Sequence, residues 1–249
     1  MRRGILITVL AVVAFVAIVI ARLPANWVIP TSSPVASCAA LDGTIWSGAC
    51  GGLTTQGQQV GDLTWDVHAL RLLTGKLSAN LVLTRPTGSV RGDFDVGLDK
   101  TLTVRNAQAD LPLDRDLAQL LPPNLRSLQG TVNANVALLH LAKNNIITQL
   151  QGHFEVHDLE DHDRNGVTRL GSYSLTFPGG SGDPTGQLKD LGGPIGLDGT
   201  VRLTQDKPGA MLDTNITLRP GAPPQLVSQL QYLAPDAQGR RQLTTELTF

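Results

Sequence analysis

The chain has 249 residues, with 20 lysines and arginines against 21 aspartates and glutamates. Setting Arg2 and Arg3 aside leaves 18 basic residues against the same 21 acidic ones. This balance argues against a nucleic-acid-binding protein, because such proteins present a basic stripe. Aromatic residues make up only 4% of the chain, whereas it has 26 glycines and 15 prolines. Stacking surfaces for bases or sugars are therefore scarce, and turns are expected to be more common than long helices.

The N-terminal segment is almost entirely apolar from Gly4 to Ala21, and no charged residue lies inside it. A helix of this length crosses a hydrocarbon core of roughly 30 Å at roughly 1.5 Å per residue. Arg2 and Arg3 are predicted to stay in the cytoplasm, which sends the rest of the chain across the membrane. The residues predicted to form the membrane anchor are Gly4, Ile5, Leu6, Ile7, Val9, Leu10, Val12, Val13, Phe15, Val16, Ile18, Val19 and Ile20.

A cleaved signal peptide and a buried core helix are the alternatives for this segment. The apolar part of a signal peptide usually has about 7–15 residues and ends at an Ala-x-Ala-like site, whereas Ala21-Arg22-Leu23-Pro24 is a poor cleavage site. A core helix normally carries a polar face, and this segment has none. We therefore predict an uncleaved anchor, with residues 1–22 forming a cytoplasmic tip and a single transmembrane helix.

Residues 23–37 contain three prolines and a run of hydroxyl residues, which predicts an extended linker. The exported domain is then residues 38–249, enough for one sizeable domain or two small ones. Cys38 and Cys50 both lie in it, and an even number of cysteines in an oxidising compartment predicts a disulfide. A redox or metal-binding pair is the alternative, but the spacing is not Cys-x-x-Cys and no histidine lies between them.

Apolar and polar residues alternate strictly along much of the exported domain. Leu77, Ala79, Leu81 and Leu83 would share one strand face, and similar alternation marks residues 90–98, 132–138 and 243–249. This pattern is typical of half-buried antiparallel strands, of which we expect about ten to thirteen. The fold class is therefore mainly β, with one N-terminal transmembrane helix followed by a curved antiparallel sheet or incomplete barrel.

Two segments depart from this alternation. Residues 112–121 and 225–233 have apolar residues at helical spacing and are bounded by prolines, so each is predicted to be a short amphipathic helix that caps one end of the sheet. Residues 70–75 are predicted to form a turn between strands, with Leu72 and Leu73 in the core.

A short motif, Leu-x-Gly-Thr followed by a β-branched residue, recurs at residues 41–45, 128–132 and 197–201. Each copy of the motif opens a predicted strand, and the intervals between successive copies are unequal. Duplicated sheet units would explain it. A glycine that marks a bulge or a tight turn would explain it equally well.

Few residues suggest a catalytic, cofactor-binding or metal-binding site. The chain has no phosphate-binding glycine loop, His-Glu-x-x-His or Gly-x-Ser-x-Gly motif, and we predict neither an enzyme nor a bound cofactor. On a strand, His153, Glu155 and His157 would project from one face, where they could hold a metal ion, but an ordinary solvated face is the better interpretation. A hydrolase or metal enzyme built on residues 153–163 is the corresponding, less favoured hypothesis.

Residues 161–166 resemble the opening of a calcium-binding loop. The twelfth position of such a loop should be a bidentate acid, but here it is Ser172. A polar hairpin turn through Asn165 and Gly166 is the favoured interpretation.

Several stretches together suggest a family. Residues 38–50 carry Leu-Asp-Gly-Thr-Ile-Trp-Ser-Gly between the two cysteines, residues 61–67 read Gly-Asp-Leu-Thr-Trp-Asp-Val, and residues 72–77 follow with Leu-Leu-Thr-Gly-Lys-Leu. Residues 230–241 end in a Gly-Arg-Arg step before a final strand. With one N-terminal membrane helix and a β-rich exported domain, the chain resembles the type II secretion system protein N family.

This resemblance implies a single-pass inner-membrane protein of a Gram-negative cell with no catalytic residues. The implied partners are other inner-membrane components of the secretion machinery and the secretin. The pattern also looks distantly like AsmA-type and lipopolysaccharide-bridge proteins, which build long curved sheets with an apolar groove. We therefore expect a non-catalytic periplasmic scaffold, with a lipid carrier as the alternative and a lipid as its candidate ligand.

Overall fold

A computed structural model describes residue 15 and residues 18–28, 36–118, 125–163, 166–222, 224, 227–228, 235–237 and 240–248. Most of these residues lie in β-strands. The strands are β1 (Ala36–Ser37), β2 (Ala40–Gly43), β3 (Ser47–Thr55), β4 (Gln58–Val67), β5 (Lys76–Arg85), β6 (Gly88–Gly97), β7 (Leu102–Leu113), β8 (Leu128–Leu141), β9 (Ile147–Asp163), β10 (Gly166–Pro178), β11 (Thr185–Gly192), β12 (Ile195–Leu203), β13 (Gly209–Leu218) and β14 (Arg241–Thr248). The helices are α1 (Ala25–Val28), a 3₁₀ helix (Ala69–Thr74) and α2 (Arg115–Ala118).

In the described part of the chain, all fourteen strands belong to one open antiparallel sheet. From β3 to β14 each strand pairs with the next one in sequence, while β1 and β2 both pair with β3. The mainly β, antiparallel prediction is confirmed. The sheet has one strand more than the upper expectation, because β1 and β2, of two and four residues, are too short to show a clear alternation.

The two faces of the sheet differ in polarity because successive residues of a strand point to opposite faces. One row of paired residues crosses β6 to β14 with a polar side chain on every strand, and we call it the polar row. Its members are Arg91, Gln108, Asn135, His153, Thr176, Gln187, Thr200, Asp213 and Thr244. The adjacent row on the other face is mostly apolar and consists of Val90, Ala109, Ala134, Phe154, Leu175, Leu188, Gly199, Thr214 and Leu243.

The main hydrophobic cluster lies on the apolar face, between β8 and β13. Its buried members are Val136, Leu150, Phe177, Leu203 and Ala210. Phe177 meets Phe154 edge to face, with ring centroids 6.2 Å apart. Aromatic pairs in this geometry add about 0.5–1.5 kcal/mol beyond the burial of their surface.

The two ends of the sheet carry different segments. Residues 44–46, 68–75, 98–101, 142–146, 179–184 and 204–208 connect strands at one end, which we call the Trp46 end. Residues 56–57, 86–87 and 193–194 connect strands at the opposite end. The 3₁₀ helix lies at the Trp46 end, between β4 and β5.

The first predicted helix begins three residues later than expected. Pro112 and Leu113 remain in β7, because pairing with β8 continues to Leu113. Helix α2 then begins at Arg115, and its N-terminus is capped by Asp114, whose Oδ1 accepts a hydrogen bond of 2.9 Å from the backbone N–H of Leu117. Residues 119–124 and most of the second predicted helix, 225–233, lie outside the described residues.

The prediction for Leu72 and Leu73 is wrong. Their side chains are 43% and 86% exposed. The 3₁₀ helix extends past the paired part of β4 and β5, so no strand in the described structure lies over it. Local hydrophobicity therefore does not place these leucines in the core.

Most of the predicted anchor lies outside the described residues. Phe15 and residues 18–20 are helical and exposed. No helix among the described residues has both the length and the apolar character that a membrane span requires. The predicted residues for which nothing is described are Arg2, Arg3, Gly4, Ile5, Leu6, Ile7, Val9, Leu10, Val12, Val13 and Val16.

Candidate functional site

An apolar concavity of about 460 Å³ lies over strands β1 to β5. We call it the N-terminal groove. Apolar side chains and the disulfide line it, and their spacing follows from the alternation along β3, β4 and β5. The lining residues are Ala36, Cys38, Leu41, Ile45, Cys50, Leu53, Leu63, Trp65, Val67 and Leu81.

The predicted disulfide is present at one wall of this groove. Cys38 and Cys50 are joined with a Cα–Cα separation of 5.5 Å. Cys50 is only 2% exposed, and no cysteine is left over as a free thiol. The bond closes a loop of 12 residues that contains β2 and the turn into β3, so it holds the groove wall together.

The turn from β2 to β3 is organised by Thr44. Its Oγ1 accepts hydrogen bonds from the backbone N–H groups of Trp46 and Ser47, at 3.2 and 3.1 Å. The Trp65 indole N–H donates to the Thr44 carbonyl at 3.2 Å. This network fixes the position of Trp65, which lines the groove.

The N-terminal segment attaches to the same turn. The Trp46 indole N–H donates to the Ile20 carbonyl at 2.8 Å, and the Ile45 N–H donates to the Leu23 carbonyl at 3.1 Å. An isolated β-bridge joins Pro24 to Thr44. The end of the predicted membrane segment is therefore placed directly beside the N-terminal groove.

The polar row provides a second concavity, of about 500 Å³, between β6 and β9. The Arg91 guanidinium donates to the Gln108 side-chain carbonyl, with Nε at 3.0 Å. Asn135 follows on β8 and His153 on β9. Sequence reasoning missed Arg91 and Gln108 because only the register of four strands brings them beside His153.

His153, Glu155 and His157 share one face of β9, as their spacing predicts. The Glu155 carboxylate is hydrogen-bonded to both imidazoles: Oε1 lies 2.9 Å from His153 Nε2, and Oε2 lies 3.0 Å from His157 Nε2. These two bonds lower the pKa of Glu155. His153 Nδ1 lies 2.7 Å from the Thr176 hydroxyl. The carboxylate thus has one imidazole on each of its oxygens.

The described residues contain no group of three histidine, cysteine, aspartate or glutamate side chains placed to hold a metal ion. The calcium-loop alternative also finds no support. Asp161 and Asp163 belong to β9 and pair with β10, while Asn165 lies outside the described residues. Ser172 Oγ accepts a hydrogen bond from the Asp158 N–H at 3.0 Å, so the twelfth position serves a β-bulge.

A third polar cluster surrounds Asp93 and Asp95 on β6. Asp93 accepts hydrogen bonds from the side-chain amides of Asn80 and Asn106, at 2.9 and 3.1 Å, and both lower its pKa. Asp95 is buried and forms ion pairs with Arg71 and Arg105. The acids and bases of this cluster satisfy one another, which is typical of a structural network.

Among the described residues, Tyr173 has the most strongly shifted pKa. Its hydroxyl lies 2.6 Å from the Leu170 carbonyl and 3.0 Å from the Ile195 carbonyl. Burial, and secondarily the nearby Asp190, raises its pKa to about 12. It stays protonated, and its one O–H is shared between the two carbonyls, so it links β10 to the start of β12.

Comparison with known proteins identifies a matching family and a curated relative. The family model for "Type II secretion system (T2SS), protein N" matches residues 36–244. A relative named "Type II secretion system protein N", from Vibrio cholerae serotype O1, is 37% identical over 59 residues. That match spans 23% of this chain and 23% of the relative. No solved structure matches the chain. Because the family model covers more than half of its length, the chain belongs to the type II secretion system protein N family.

Proposed function

We propose that the protein is a non-catalytic component of the type II secretion machinery, anchored in the inner membrane by residues 4–20 with its sheet in the periplasm. Membership of the protein N family carries this proposal. The partners we propose are other inner-membrane components of that machinery, the secretin, or both. Arg2 and Arg3 would hold the N-terminus in the cytoplasm, and residues 23–37 would lead to the sheet.

The edges of the open sheet differ in how well they suit a partner. One edge is formed by β1 and β2, of two and four residues, and short edge strands discourage pairing. The other edge is β14, which pairs with β13 over eight residues and ends the strand order in the described structure. An added strand on β14 would continue the backbone ladder, so we propose this edge as the contact for a partner.

Site-specific photocrosslinking in secreting cells tests the proposal. A crosslinker at Thr244, on edge strand β14, should capture a component of the secretion machinery. The matched control is Asn135, which also lies in the polar row but on a strand paired at both sides. Capture at Thr244 alone supports edge pairing. If neither position captures a component and a deletion strain secretes normally, the proposed function is wrong.

Lipid binding is the second candidate, and the N-terminal groove favours it. The groove is lined almost entirely by carbon atoms and lies beside Ile20 and Leu23. Ligand sites are commonly apolar clefts of about 300–1,000 Å³, a range that includes its volume. An acyl chain that leaves the membrane beside the anchor would reach this groove first.

Labelling with a photoactivatable phospholipid tests lipid binding separately from the secretion proposal. The full chain is reconstituted in vesicles that contain the probe, and labelled peptides are mapped. Lipid binding predicts that the label is found on residues 53–67 of β3 and β4. A Leu63→Glu substitution in the groove should remove this label. The control Val167→Glu, on an exposed strand end, should leave the label unchanged. Label confined to the N-terminal apolar segment would reject lipid binding and leave the secretion proposal intact.

A further inference from the structure

We propose that the Trp46 end of the sheet inserts a cluster of leucines into the surface of the bilayer that holds the anchor. This contact is separate from the transmembrane segment and from the N-terminal groove. We call the cluster the leucine patch. It consists of Leu70, Leu72, Leu73 and Leu77 around the 3₁₀ helix, and of Leu98 in the turn between β6 and β7.

The exposure of these side chains is unusually high for leucine. Leu70 is 82% exposed, Leu73 86% and Leu98 88%. Each leaves most of its apolar surface in water. Removing that surface from water would be favourable by about 25 cal/mol per Å². Scattered exposed leucines are common, but a contiguous patch of them marks an interaction surface.

The patch is contiguous because two connections meet at this end. The Leu98 N–H donates to the Gly75 carbonyl at 3.3 Å, which places the β6–β7 turn beside the end of the 3₁₀ helix. Leu77 pairs with Val96 across β5 and β6, and both side chains are exposed. The leucines therefore form one surface built from two loops.

The position of the patch points to lipid as its partner. Trp46 links the two regions: its indole donates to the Ile20 carbonyl, and its own carbonyl accepts a hydrogen bond from the Val67 N–H, two residues before the 3₁₀ helix begins. Ile18, Trp27 and Val28 are also exposed. Both sets of apolar side chains thus lie at the end of the sheet from which the predicted anchor departs.

The charged residues around the patch fit a headgroup layer. Arg71, Lys76 and Lys100 surround the leucines and are exposed, and Lys143 and Lys207 lie at the same end. Lysine stems can lie along apolar surface while the ammonium reaches lipid phosphates. The acids at this end include Asp99, Asp183 and Asp206, and Arg71 and Lys207 form ion pairs with Asp95 and Glu246. The leucines, and not a large net charge, therefore provide the main attraction.

Fluorescence quenching in vesicles tests this contact on the full chain. Leu73→Trp and Leu98→Trp variants are reconstituted in phosphatidylethanolamine and phosphatidylglycerol vesicles with a spin-labelled lipid whose quencher lies near the headgroups. The parent signal from its own tryptophans is subtracted. The matched control is Val167→Trp, an exposed apolar position at the opposite end of the sheet. Circular dichroism confirms that each variant retains the parent's strand content.

We expect the added emission of both patch variants to be quenched severalfold more than that of Val167→Trp. Since no other protein is in the vesicles, a protein partner cannot produce this result. The inference rests on the proposed anchoring, which flotation of the unmodified chain with the vesicles measures separately. Flotation without extra quenching overturns the leucine contact alone, and failure to float overturns the anchor together with it.

Discussion

The indole of Trp65 packs closely against Gly48, its partner across strands β3 and β4. A Cβ at position 48 would come within 2.5 Å of the indole Cζ2 and within 2.6 Å of the Asp42 carbonyl oxygen. Glycine is therefore required here for close approach of a side chain. The contact holds Trp65 where it lines the N-terminal groove and donates to Thr44.

A Gly48→Ala substitution is expected to destabilise this part of the sheet by about 1–3 kcal/mol, the usual effect of overpacking. Denaturant unfolding measures the loss. Gly51→Ala is the matched control on the same strand, because a Cβ there would meet Ala40 Cβ at an ordinary 3.6 Å. Equal effects of the two substitutions would contradict a specific requirement at position 48.

Loss of the disulfide is expected to cost about 3 kcal/mol in the chain-entropy model. A Cys38→Ala, Cys50→Ala double variant should unfold at correspondingly lower denaturant, since the open loop gains freedom mainly in the unfolded chain. A reducing agent should lower the stability of the parent to a similar level. The double variant provides the control, because reductant should leave its unfolding curve unchanged; a shift there would mean that the reductant acts elsewhere.

Strand type and pairing direction follow well from the sequence because both depend on short-range alternation. Residues 77–83 and 132–138 show a period of two that only a half-buried strand satisfies, and they lie in β5 and β8. The disulfide was predictable from the even number of cysteines and the expected oxidising compartment. Glu155 and Ser172, which the metal and calcium alternatives would use as ligands, have hydrogen-bond partners within the sheet.

Register and exposure do not follow from local pattern. β-Bulges at Asn106 and Asp158, both with positive φ, shift the pairing of β7 and β9, so the polar row could not be assembled from spacing. Leu72 and Leu73 have the composition of core residues, but their exposure depends on where the sheet ends. Only the three-dimensional arrangement shows that they join Leu98 in one patch.

The interaction of Glu155 with two histidines predicts a specific pH dependence. Its pKa is lowered in the folded protein from an ordinary value of 4.5, so the stabilisation is present above that value and is lost as pH falls through the folded pKa. The stability difference between the parent and Glu155→Gln should therefore be largest above pH 4.5 and shrink in more acidic solution. Thermal unfolding across this range measures it.

A double-mutant comparison isolates the cause of this effect. In a His153→Ala, His157→Ala background, Glu155→Gln should show a much weaker pH dependence, because the two hydrogen bonds that lower the pKa are gone. Unchanged dependence in that background would assign the effect to other neighbours of Glu155.

Tyr173 gives a prediction about protein stability in alkaline solution. Its hydroxyl serves the carbonyls of Leu170 and Ile195, so Tyr173→Phe leaves buried acceptors without a donor and should cost about 1–3 kcal/mol at neutral pH.

Burial raises the pKa of Tyr173 from 10.0 to about 12. The stability linked to this group is complete below pH 10 and is lost as pH rises toward 12, because only the unfolded tyrosine ionises in that window. The gap between parent and Tyr173→Phe, followed by urea unfolding, should therefore narrow above pH 10. A gap that stays constant from pH 8 to pH 11.5 would show that Tyr173 ionises equally in both states, and the buried donor role would then be wrong.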